Sequence, residues 1–91
     1  MTNAQAIAIG QDALIWLAGN EEALAAFLYA SGLAPDELRR RADDPEFLGF
    51  LLEFLLGADT MVLAFAGEAG LRPEDPARAR AALGGSEPSW T

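Results

Sequence analysis

Residues 45–56, PEFLGFLLEFLL, place eight large apolar side chains in twelve positions. On a helical wheel Phe47, Leu48, Phe50, Leu51, Leu52, Phe54, Leu55 and Leu56 spread over about 240°, leaving Glu46, Gly49 and Glu53 as the polar side. A helix on the surface of a globule needs an apolar stripe only somewhat wider than about 100°. A helix at 45–56 must therefore be covered on most sides. It is either the centre of the domain or shared with another chain.

The chain has 91 residues, enough for one core and no second one. Hydrophobic residues make up 52% of it, so material for that core is present. Ala, Leu and Glu recur, valine occurs once (Val62), and no strand-like alternation runs for six residues. The fold class expected is all-α, a compact array of five or six short helices.

Capping signals divide the chain. Thr2 or Asn3 caps a first helix, about 4–18, which Gly19-Asn20 ends. Asn20 caps a second helix that carries Glu21 and Glu22 at its positive end and runs to about Ser31. Gly32-Leu33 reads as a left-handed stop, and Pro35 opens a third helix over about 35–42. Asp44-Pro45-Glu46 starts the fourth. Asp59 is expected to cap a fifth, about 60–69, and Pro73 to open a sixth, about 73–83, with Pro76 in its first turn. The single domain is expected over 1–84, with 85–91 as a tail carrying Trp90.

The halves resemble each other at one offset. Phe27 and Phe65 are 65 − 27 = 38 apart, and the same step pairs Leu14 with Leu52, Leu17 with Leu55, Gly32 with Gly70 and Pro35 with Pro73. Trp16 falls opposite Phe54. Residues 4–42 and 42–80 are therefore read as similar three-helix halves packed around the 45–56 helix, with a pseudo-two-fold axis between them.

The segments GLAPDELR (32–39), DPEFL (44–48), DTMVLAF (59–65) and GLRP (70–73) resemble those of a family of small alphaproteobacterial proteins known as a domain of unknown function. The likeness extends over about residues 4–83. It implies a bacterial, cytoplasmic, helical protein, and it brings no catalytic or binding residue with it. Asn20 and Ala34 stand where that pattern leads one to expect a capping aspartate or serine.

Composition excludes several chemistries. With no His and no Cys, the common zinc sites and the Ser-His-Asp and Cys-His arrangements cannot form within the chain, and there is no disulfide. With no Lys there is neither a Schiff base nor a phosphate-loop lysine. The glycines mark helix ends rather than a phosphate loop. No cofactor, no metal and no enzymatic activity are expected. Carboxylates remain, densest at Asp43-Asp44-Glu46 and Glu74-Asp75, but helix starts favour acids through the dipole alone.

The formal net charge is −8, and all six basic residues are arginine. Arg39, Arg40 and Arg41 form the one basic cluster, at the expected end of the third helix, where cations complement the dipole. Phe47–Ala66 is apolar over twenty residues. Glu53 and Asp59 inside it each cost roughly 2.5–3.5 kcal/mol near a bilayer centre, and Gly57-Ala58-Asp59 breaks it, so no membrane span is expected. The N-terminal residues have no signal-peptide layout, and a cytoplasmic location is expected.

Ile7 and Leu14 define one face of the first helix, while Ile9 and Trp16 point to the opposite side. If the first face enters the core, Ile9 and Trp16 stand exposed as anchors for a partner. If the helix lies between two others, both faces are buried. The function expected is that of a non-enzymatic protein–protein interaction module or homodimer. Ile9, Trp16 and Phe50 would supply apolar contact and Arg39, Arg40 and Arg41 polar contact. The alternatives are a small regulator that binds nucleic acid through Arg39–Arg41, and a divalent-cation site on carboxylates.

Overall fold

A computed structural model describes residues 1–84 as six helices. They are α1 Asn3–Ala18, α2 Glu21–Ser31, α3 Pro35–Arg40, α4 Pro45–Leu56, α5 Asp59–Ala69 and α6 Asp75–Ala82. Among the described residues there is no strand, and the fold is an all-α bundle. The tail expected at 85–91, Trp90 included, lies outside the described residues.

Most helix starts follow their capping residues. Thr2 Oγ1 accepts the Gln5 N–H at 3.1 Å while Gln5 Oε1 accepts the Thr2 N–H at 2.9 Å, a reciprocal capping box. Asn20 Oδ1 accepts the Ala23 N–H and Asp44 Oδ1 accepts the Glu46 N–H. Ala34 has no side-chain acceptor, and α3 is held at its start by Glu37 Oε1 reaching back to the Ala34 N–H at 3.1 Å. α2 and α5 both end on glycines with positive φ, Gly32 at 73° and Gly70 at 71°.

Two starts differ from the sequence reading. α5 begins at Asp59 itself, with Ala58 as its cap residue, so Asp59 sits in the first turn as a dipole partner. α6 begins at Asp75 rather than Pro73. The Asp75 N–H donates to the Arg72 carbonyl, and Asp75 Oδ2 accepts the Arg72 N–H at 3.0 Å. These bonds close a turn over Pro73-Glu74, and the helix starts behind it with Pro76 in its first turn.

α4 is central, and the cover it needs comes from within the chain. Phe47, Leu48, Leu51, Leu52 and Leu55 are fully buried, under α1, α5, α6 and the Phe27 ring of α2. Each such side chain contributes about 1.5–3 kcal/mol by leaving water.

The face that α1 turns to the core runs through Ala6, Ile9, Gly10, Ala13 and Leu17. It is made mostly of small residues, so α4 comes close enough that a Cβ built on Gly10 would stand 2.8 Å from the Leu48 Cβ. The large residues Ile7 and Leu14 flank this face and are half-buried. This corrects the expectation for Ile9, which is only 8% exposed and belongs to the core rather than to a partner surface. The close backbone approach, not side-chain size, decides which face goes in.

α3 and α6, the helices that the 38-residue step pairs in the sequence, are packed differently. α6 lies along both α1 and α4, whereas α3 sits at the edge and buries Leu38 alone. No single helix among the described residues is long and apolar enough to cross a membrane, and α4 and α5 meet at 116°.

Candidate functional site

Ile15 of α1 is 71% exposed and neighbours Trp16, which is half-buried. The indole of Trp16 lies against the Phe65 ring, centroids 6.2 Å apart and planes inclined by 60°. Its Nε1–H donates to Glu68 Oε2 at 2.7 Å. Phe65 itself is fully buried, anchoring α5 in the core. Between the two helices runs a groove of about 320 Å³, lined by Asp12, Ile15, Trp16, Phe65, Glu68 and Ala69.

The chemistry of this groove is mixed. Its lining joins the half-buried Trp16 indole, backed by the buried Phe65, to Ile15, Ala69 and two exposed carboxylates, Asp12 and Glu68. Neither carboxylate has an arginine within ion-pair distance among the described residues. The indole bond to Glu68 fixes the tryptophan ring, since a half-buried indole N–H needs an acceptor.

The remaining candidates do not converge on this groove. Phe50 packs on Phe27 with ring centroids 5.8 Å apart and is half-buried. Ile9 is in the core. Arg39 and Arg40 are exposed on α3, Arg39 edging a separate hollow with Leu14, Leu24 and Leu38. Arg41 lies 3.7 Å from Glu37, one helical turn before it. α3 has six residues, the last two of them arginine, and its first turn is acidic through Asp36 and Glu37.

Three of the clustered carboxylates are engaged in hydrogen bonds that hold the fold. Asp43 Oδ1 accepts from Gln11 Nε2 at 3.1 Å, Asp44 caps α4, and Asp75 closes the turn before α6. No three His, Cys, Asp or Glu side chains among the described residues are placed to hold a metal ion together.

Sequence reasoning singled out Trp16 but missed Ile15, as well as the exposed Tyr29 and Leu63. The signal for Ile15 was present. It lies two residues, about 200° of helix, from both Ala13 and Leu17, so it faces outward once the small-residue face is taken as the buried one.

No curated protein and no solved structure matches the chain. A family model does match, over residues 2–86, which is nearly the whole chain. The chain belongs to the family described as Protein of unknown function (DUF3572).

Proposed function

We propose that this protein is a non-enzymatic protein–protein interaction module of the bacterial cytoplasm, and that it docks its partner on the α1–α5 groove. The observation that carries this reading is an isoleucine, 71% exposed, beside a hydrogen-bonded tryptophan, both lining one groove. A tryptophan fixed by packing and by a hydrogen bond loses little entropy on contact, which suits an anchor residue. The absence of His, Cys and Lys from the sequence supports a role in binding rather than catalysis. A different protein is favoured over a second copy of this chain, because two copies each at −8 repel.

A photo-crosslinking amino acid placed at position 15 tests the proposal in the native host, with one at Asp36 on α3 as control. A discrete adduct from position 15 alone is the expected result. No adduct at all, or the same adducts from both positions, overturns it. Light scattering on the purified chain adds a further check, since a mass of twice the monomer would make the partner a second copy.

A further inference from the structure

We infer that the side chain seated in the α1–α5 groove is an arginine, carried on a basic, partly apolar segment of the partner protein. The inference rests on the interaction-module reading and specifies its occupant.

Charge gives the first argument. Asp12 and Glu68 both line the groove and both are exposed. Among the described residues the Asp12 side chain has no hydrogen-bond or ion-pair partner, and Glu68 accepts only the indole N–H of Trp16. One oxygen of Glu68 is thus held at the groove wall while its other oxygen, like the Asp12 carboxylate, is open to a donor. Two carboxylates beside one opening, in a chain of net charge −8, favour a cation and disfavour an acidic or neutral occupant.

The indole gives the second argument, and it distinguishes arginine from lysine. The half-buried Trp16 indole lines the groove beside Glu68, backed by the fully buried Phe65 ring. A guanidinium is flat and weakly hydrated, so it stacks on an aromatic face while its N–H groups reach a carboxylate at its edge. An ammonium is a strongly hydrated point charge and loses more water on entering such a place. At about 320 Å³ the groove lies at the low end for ligand sites, in keeping with one long side chain.

The third argument comes from the other half of the molecule. By the step of 50 − 12 = 38, Asp12 stands where the second half has Phe50, and Phe65 where the first has Phe27. Phe50 covers Phe27 with its ring at 5.8 Å. At the corresponding place beside Phe65 stands a carboxylate, so this groove carries a charge where the other half carries a ring. A cation matches that change.

The test is a titration of the full chain bearing Trp90→Phe, so that Trp16 gives the one indole N–H signal in a nitrogen-15 spectrum. The probe is a short amidated peptide of arginine, leucine and alanine, compared with versions carrying lysine or glutamate in place of every arginine. The arginine peptide should move the Trp16 indole signal, the lysine peptide should bind several-fold more weakly, and the glutamate peptide should leave the signal in place. Asp12→Asn with Glu68→Gln, which preserves an acceptor for the indole, should weaken the arginine peptide by about ten-fold or more while the helical circular dichroism is unchanged. A signal unmoved by the arginine peptide, equal binding of the glutamate peptide, or an affinity indifferent to the two substitutions overturns the inference. An adduct from position 15 that maps to an acidic segment overturns it while leaving the interaction module standing. No adduct from that position removes the module itself.

Discussion

The ring of Trp16 rests on Phe65 at 6.2 Å, and the pair binds the first helix to the fifth. Moved 38 residues along the chain, the same relationship is Phe54 against Phe27 at 5.2 Å, binding the fourth helix to the second. Each long helix thus carries an aromatic that meets a phenylalanine from the other half. The two contacts differ in what lies around them. The Phe27 side is packed by Phe47 and Phe50, whereas on the Phe65 side the half-buried Trp16 borders the groove.

That comparison predicts how position 16 tolerates change. Phenylalanine already performs this packing at position 54, so Trp16→Phe should remain folded and lose less than about 1.5 kcal/mol in a urea titration. Trp16→Ala should lose more, about 2–3 kcal/mol, somewhat below the range for a fully buried aromatic because the indole is half-exposed. Ile15→Glu should change stability by no more than about 0.5 kcal/mol, since its side chain is largely in water. An Ile15→Glu protein that binds its crosslinked partner as before would show that the groove is not the docking face.

Helix capping gives a prediction in the opposite direction. Asn20 and Ala58 occupy corresponding positions with similar extended backbones, φ −125° and ψ 97° against φ −137° and ψ 107°. Asn20 satisfies the Ala23 N–H, and Ala58 has no side chain with which to do the same for α5. Ala58→Asn should therefore stabilise the protein by about 1 kcal/mol, and Asn20→Ala should destabilise it by a similar amount. Thermal melts of the two variants should move in opposite directions, by about 4–8 °C each for a domain of this size.

Much of this architecture was legible in the sequence, and the exceptions share a cause. Helix identities follow from Thr2, Asn20, Gly32, Asp44 and Gly70 because caps and stops act locally. The central place of α4 follows from its eight large apolar residues, which no surface position tolerates. The orientation of α1 was not legible. Ile7 and Leu14 outline a face of large residues, whereas the value of Ala6, Gly10 and Ala13 lies in letting another helix approach. That is a property of the pair of helices, and a single helix does not display it. For the same reason the sequence leaves Ile9 open to either placement, and Ile15 shows as outward only once the small-residue face is known to be the buried one. The bond from Trp16 to Glu68 spans 52 residues, and no local pattern announces it.

Arg80 links α6 to α4. Its Nε donates to Glu53 Oε2 at 3.0 Å, and its Nη1 donates to the Gly84 carbonyl, while its side chain is only 14% exposed. Arg80→Ala should cost about 1–3 kcal/mol, because it removes charge-assisted bonds and the packing of the aliphatic stem on α4. Glu53→Gln should cost less, since the carboxylate is 64% exposed and water replaces the guanidinium readily. A urea titration in which Glu53→Gln proves as damaging as Arg80→Ala would show that the ion pair itself, rather than the buried stem, holds α6 in place.

The crossing of α1 and α4 yields the sharpest test, because two substitutions with the same chemistry should act in opposite senses. Alanine is favoured over glycine inside a helix by about 1 kcal/mol. At Gly67, in α5, an added Cβ meets nothing within 4 Å, so Gly67→Ala should stabilise by about that amount. At Gly10 the new Cβ would stand 2.8 Å from the Leu48 Cβ and 3.3 Å from its Cγ. The nearest of these atoms is fixed to the backbone of α4 and cannot rotate away. The helices must separate, loosening the packing of α1 on α4 around Leu48, and Gly10→Ala should lose about 1–3 kcal/mol despite its better helix propensity. Denaturant midpoints shifted in opposite directions would establish that α1 is seated by the close approach of its backbone to α4. A stabilised Gly10→Ala protein would refute that account of the crossing.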